Sequence, residues 1–285
     1  MTRARTLALF GIGLAVVATS VAQSPDSPSG LAAPVTGAAF DARLVGADAG
    51  WQLTFAIGEN QQRILSAGDL AWWGTCEEPL GPVVGLVGGG VVAGRIREMT
   101  QEQVTVESRL LGSLRLPVES LAGAISPSSG SLSERDRLLD RIVRATGTTD
   151  RLVLDNGDEV TGLIEAIRGG KVEIKTDGGP REVPLGRIVA LSFNPALRAK
   201  PAQTGLRAWV GFSDGSRLIA RQLTIEDDAI ELTTLEGLKW KTPAKSLVFV
   251  QPLGGRAVYL SDISPAEYRS VPYLDIPWPY RADRN

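Results

Sequence analysis

The sequence predicts an all-β protein of tandem small barrels with one short bridging helix, and three observations predict it. First, three stretches share one template: strand, turn, a strand opening on a small residue, two more strands, Pro, and a final apolar strand. They run from Pro82 to Ile125, Arg151 to Phe193 and Leu206 to Val250. The small residue is Gly94, Gly162 or Ala220, and Pro117, Pro184 or Pro243 follows it at spacings of 23, 22 and 23 residues. Internal repetition of this kind sets architecture before any motif is considered. Second, Asp155-Asn-Gly-Asp158 and Ser213-Asp-Gly-Ser216 supply the positive φ that tight hairpins need. Third, helical periodicity is confined to one segment.

In chain order, residues 1–22 read as a secretory signal. Arg3 and Arg5 make a basic start, Leu7 to Ala18 is an apolar core too short for a bilayer, and Ser20-Val-Ala22 is a small-x-small cleavage site. The chain is therefore expected to be secreted or periplasmic, with no membrane span once mature. Losing both arginines lowers the 30 basic residues to 28, against 32 acidic ones. That balance argues against a nucleic-acid partner, which would favour a basic stripe. Cys76 is the single cysteine, read as a small, partly buried hydrophobe. With no histidine, Ser-His-Asp and Cys-His catalysis and histidine metal sites are excluded. No cofactor is expected.

Residues 23–36, rich in Ser and Pro, read as a linker. Residues 37–126 hold a partial copy of the template, from Phe40 to Gly74, and then the first small barrel. Residues 127–147 are a break and the helix. Ser133-Glu-Arg-Asp136 has the form of a capping box, Leu138, Leu139, Ile142 and Val143 form the apolar stripe, and Gly147 is the stop. The second barrel takes 148–195 and the third 205–253. Residues 254–285 are rich in Pro and aromatics and lack periodicity. The rival reading is one larger β-sandwich over 37–253; under the tandem reading, isolated 147–253 should fold by itself. The small residue opening the second strand lets a short sheet bend sharply or its backbones approach closely. Proline suits the first position of the last strand, where no ladder donor is needed. Short, bent strands favour closure because it removes exposed edges.

The strand–Asp-Gly–strand–Gly entry, the Val-x-Ile/Leu strand and the final Pro-x-x-x-Ile/Leu strand resemble the Sm-like or SH3-like small barrel. The resemblance covers most of 150–250 and, less well, 82–125. Members of that family often bind RNA; the phosphate- and base-contacting residues for this are not evident here. Val258-Tyr-Leu-Ser-Asp-Ile-Ser-Pro-Ala-Glu-Tyr268, Val271-Pro-Tyr-Leu274 and Trp278-Pro-Tyr-Arg-Ala-Asp-Arg-Asn285 are similar to the opening of a novel carbohydrate-binding module, a β-sandwich that accompanies exported glycoside hydrolases. The whole arrangement resembles large exported proteins of planctomycete-type bacteria. The second resemblance is confined to 258–285, so 254–285 reads as the truncated start of that sandwich and the family's sugar-binding surface is not carried over. The tail from 262 is expected to be extended, with Trp278 exposed.

Asp155, Asp158 and Glu159, and Glu226-Asp227-Asp228, are oxygen ligands a hard cation accepts, but both groups fall on turn signals and read as turns. Gly88-Gly-Gly90 lacks the following Lys-Ser/Thr of a phosphate loop and reads as a hairpin turn. An enzyme would have to use carboxylates such as Asp155, Asp158 and Asp228, all on turns. Tryptophans are more informative. Alternation puts Trp209 on the face away from Val210 and Phe212, to stack on a sugar ring or partner or to pack on a neighbouring barrel. Trp72 and Trp73 are adjacent, so one faces in and the other out. Trp278 and Tyr280 complete the candidates. The resulting expectation is a non-catalytic exported binding or scaffold protein associated with carbohydrate recognition, its partner a polysaccharide or glycan. The alternative is a protein-interaction platform of the cell envelope, assembling with envelope proteins through strand edges.

Overall fold

The computed structural model describes residues 28–79, 81–126, 132–259, 263 and 266–267. The signal segment, Trp278, Tyr280 and, apart from 263, 266 and 267, the tail from 262 onward lie outside the described residues. Among the described residues, twenty-one strands and one α-helix make the fold all-β, and antiparallel pairing links the strands into one network.

The strands form four sets. The first is β1 (Ser29–Pro34), β2 (Phe40–Ala47), β3 (Gln52–Ile57), β4 (Gln61–Ser66) and β5 (Leu70–Gly74). The second is β6 (Val83–Leu86), β7 (Val91–Ala93), β8 (Arg95–Met99), β9 (Gln103–Ser108), β10 (Gly112–Pro117) and β11 (Leu121–Ile125). Here β7 and β8 are halves of one strand broken at Gly94. Helix α1 (Leu132–Val143) follows. The third set is β12 (Asp150–Leu154), β13 (Glu159–Arg168), β14 (Lys171–Thr176), β15 (Gly179–Pro184) and β16 (Ile188–Ser192). The fourth is β17 (Arg207–Phe212), β18 (Arg217–Glu226), β19 (Ala229–Thr234), β20 (Lys239–Pro243) and β21 (Leu247–Leu253).

Every set has one order across the sheet: fourth, third, second, first, last strand. Within each, the second strand pairs first with its predecessor and then, past a corner, with its successor. In the third set Gly162 pairs with Asp150 and Leu163 with Lys175. A Cβ at Gly162 would stand 2.3 Å from the Lys175 carbonyl oxygen, and one at Gly94 2.7 Å from that of Glu107. The small residue thus permits close approach, but it lies inside the bent strand rather than opening it. A bulge follows each corner, at Leu44/Gly46, Ile96/Glu98, Ile164/Ala166 and Ala220/Gln222, and adds the twist that bending needs.

The prolines differ from expectation too. Pro117, Pro184 and Pro243 end the fourth strand, and each is followed by one 3₁₀ turn before the last strand. Their φ values of −59°, −59° and −61° are those the ring imposes, and Ser66 adopts −64° at the same place in the first set. The supposed linker 23–36 contains β1, which completes the first set, so that copy is whole rather than partial. Ser133 stands within α1 rather than capping it.

Pairing across sets is specific. Last strand joins last strand: β5 with β21, through Trp73–Val250, and β11 with β16, through Ala124–Leu191. Second strands touch alongside, at Ala47–Ile225 and Met99–Ile167. The first set therefore joins the fourth and the second joins the third, one pair nested in the sequence of the other. Arg198 staples the inner pair: its guanidinium donates to the carbonyls of Val143, Ala122 and Phe193 and to Ser192 Oγ. The two pairs meet where Gly88 N–H donates to Glu236 and Ala93 N–H to Ser216 Oγ.

This pairing moves the cut at which the chain should divide. Fragment 81–199 keeps the β11–β16 seam, α1 and Arg198 together, and is expected to unfold cooperatively in urea as an isolated, soluble fragment. Fragment 147–253 opens both seams and is expected to aggregate or stay loose. A cooperative, monomeric 147–253 with an unfolded 81–199 is the reverse result and would show that the seams do not hold the sets.

Candidate ligand-binding face

Each seam makes a four-stranded sheet whose inner side joins the core and whose outer side needs its own account. The orders are β1-β5-β21-β17 and β6-β11-β16-β12. In the first, Ala32 pairs with Trp73 and Trp73 with Val250; in the second, Val84 pairs with Ala124 and Ala124 with Leu191. Superposing these registers matches the outer row Ala33, Trp72, Gln251, Trp209 with Gly85, Gly123, Ser192, Arg151.

The second row carries α1. Leu138, Leu139, Ile142 and Val143 pack there over Val83, Ala122, Ile125 and Ala190. Two glycines let the helix down: a Cβ at Gly85 would lie 3.1 Å from Leu139 Cδ1, and one at Gly123 2.7 Å from Ile142 Cγ2. On the first row those positions are Ala33 and Trp72, so the helix seat is filled by side chains. No helix covers this face among the described residues. Trp72 is 40% exposed and Leu31 44%, while Trp209, Phe249 and Gln251 are half-buried.

The adjacent tryptophans divide as alternation requires. Trp73 is buried and its indole N–H donates to the Ala42 carbonyl at 2.9 Å. Trp72 faces out. Trp209 opposes Gln251 in register, and Trp72 stands one step from the Trp73–Val250 pair, on the other side of β21. Two strand spacings separate their backbones by about 10 Å. Gln251 thus lies between Trp72 and Trp209 in the order of strands. The Arg217 guanidinium lies 5.1 Å from the Trp209 ring centroid, a cation–π contact that fixes the ring.

Beside Trp209 the face drops into a cleft of about 480 Å³, between the fourth set, α1 and residues 76–79. Two ion pairs lie in its wall. Arg135 pairs with Glu78 and donates to the Pro79 carbonyl, and Arg144 pairs with Asp140. Cys76 lines the same cleft. Burial pushes its thiol above the usual range, and the nearby Arg217 opposes this.

Asp155, Asp227 and Asp228 lie in turns, whereas Glu159 opens β13, paired with Arg141 and Arg151, and Glu226 ends β18. Asp155 pairs with Arg187, which holds its carboxyl below the usual range, and Asn156 donates to Asp158. Asp227 and Asp228 have φ of 47° and 60° at the β18–β19 tip. Gly89 takes φ 99° in the β6–β7 turn. Gln251 and Arg217 escaped sequence reasoning: the first needs the β5–β21 register, and the second needs the fold of β17 against β18. No protein-family model matches the chain, and no curated protein matches it.

Two outcomes follow from this placement. Trp73→Ala is expected to cost about 3–5 kcal/mol by the usual cost of emptying a buried aromatic site, whereas Trp72→Ala should leave the melting temperature nearly unchanged. Equal losses would mean that Trp72 is packed. Arg217→Met should raise the pH midpoint of Cys76 alkylation further, since the cation favouring thiolate is gone; a lower midpoint would show that Arg217 does not act on the thiol.

Proposed function

We propose that the chain is a non-catalytic, exported binding or scaffold protein built on Sm-like or SH3-like small barrels, and that it recognises carbohydrate through the Trp72–Gln251–Trp209 row. The observation that carries this reading is the row itself. Flat aromatic side chains present apolar area without long flexible stems, and an amide between them donates and accepts hydrogen bonds. Binding sites combine apolar and aromatic walls with a few polar groups in this way. The same row in the sister sheet is a helix seat, so the substitutions Gly85 to Ala33 and Gly123 to Trp72 suit a thin, flat ligand better than a helix. Residues 1–22 support export to the periplasm or beyond, and the likeness of 258–285 to a carbohydrate-binding module supports the ligand class.

Catalysis is not part of the proposal. Asp155 is held in an ion pair with Arg187, Asp158 accepts from Asn156, Asp228 sits at a hairpin tip, and in the cleft beside Trp209 Glu78 and Asp140 are paired to arginines. A protein-interaction platform is the second reading. It is favoured by the chain's own use of strand edges to join its sets.

Calorimetric titration with soluble oligosaccharides and pull-down on insoluble polysaccharides separate the two. Trp72→Ala, which should fold normally, is expected to weaken sugar binding by up to about tenfold, the loss of one aromatic stack of ~1.4 kcal/mol. Blank polysaccharide pull-downs with specific envelope-protein cross-links at Trp72 would replace the first reading by the second.

A further inference from the structure

The fourth strand of each set is a sheet edge. β4, β10, β15 and β20 each have one neighbour among the described residues. An edge offers unpaired backbone donors and acceptors, which proteins blunt with proline and charge. Three of the four are blunted. β10 carries Arg115 and ends on Pro117, β15 carries Pro180, Arg181, Glu182 and Pro184, and β20 carries Lys239, Lys241 and Pro243.

The fourth edge is different. β4 reads Gln61-Gln-Arg-Ile-Leu-Ser66 and has no proline. Its single charge, Arg63, is drawn over the Phe40 ring, 4.6 Å from the centroid. Ile64 points outward opposite Thr54 and is 63% exposed, the highest value for a large apolar side chain on any described strand.

We propose that β4 pairs antiparallel with β4 of a second copy about a twofold axis, with Ile64 against its own counterpart. Residues directly opposite in such a pair share a face. A register centred on Ile64 sets two isoleucines together and places Arg63 opposite Leu65 of the partner subunit. A register centred on Arg63 would oppose like charges, which is destabilising. Self-complementarity of this kind is what an isologous twofold contact requires. The chain already joins its sets in the same manner, like strand to like strand and antiparallel, at β5–β21 and β11–β16. A six-residue edge buries less than a standard interface, so the dimer is weak and concentration-dependent.

Sedimentation of the purified protein over a range of concentrations tests this. The mass should rise from one chain to two. Ile64→Lys and Ile64→Glu should each remain monomeric, and an equimolar mixture of the two should dimerise again, because the introduced charges face each other. Ser66→Pro supplies the residue that the other three sets carry at a compatible φ of −64°; it should melt normally and weaken the dimer at least tenfold. A wild-type chain that stays monomeric, or an Ile64→Lys variant that dimerises like wild type, overturns the contact. A mixture that stays monomeric overturns the Ile64 register.

Discussion

Antiparallel pairing of last strand with last strand is the constraint on which the rest of the molecule depends. Each seam brings two backbones closer than side chains allow. A Cβ at Gly123 would lie 2.1 Å from the Leu191 carbonyl oxygen, and one at Gly74, where φ is +77°, would lie 1.9 Å from that of Val248. Glycine is required at both places for contact and at Gly74 also for conformation. With the seams in place, four bent sheets become two wider ones, each with an inner side in the core and an outer side to be covered or used.

What happens on the two outer sides is settled by side-chain volume at a few positions. On β6-β11-β16-β12, glycines at two neighbouring positions lower the surface, and an amphipathic helix fills it. The helix needs this seat, since a 12-residue helix is marginal by itself in water. On β1-β5-β21-β17, the largest side chain stands where the second glycine was. The backbone is shared and the outcome is opposite: one face is closed by the chain's own helix, and the other leaves Trp72 exposed beside the half-buried Gln251 and Trp209.

This division explains which features were legible in the sequence. Corner glycines, hairpin turns and pre-turn prolines answer to local backbone geometry, so their spacing repeats and can be counted. The in-and-out placement of Trp72 and Trp73 follows from a period of two. β1 was invisible because Ser29-Gly-Leu-Ala-Ala-Pro34 has little strand propensity; two neighbours, β2 and β5, impose its conformation. The 3₁₀ turns after Pro117, Pro184 and Pro243 read as strand starts, because proline fixes φ near −60° in both and the sequence does not separate them. The seams are long-range choices among nearly identical strands, and no residue announces which last strand selects which. Gln251 becomes a neighbour of Trp72 only once that choice is made.

The nested order also sets when the aromatic face exists. The inner seam joins Gly123 to Ser192, and the outer one joins Gly74 to Phe249. Closing the longer loop costs only about 0.8 kcal/mol more if closure entropy grows as the logarithm of length. Prior folding of the inner pair shortens the effective loop further. The thermodynamic penalty for nesting is therefore small, but the order of events is biased: contacts local in sequence form first. The β5–β21 seam, and with it the row of Trp72, Gln251 and Trp209, is completed only when first and last sets meet. A ligand held across that row binds the closed chain and not the open one, so its binding free energy adds to the stability of the outer seam.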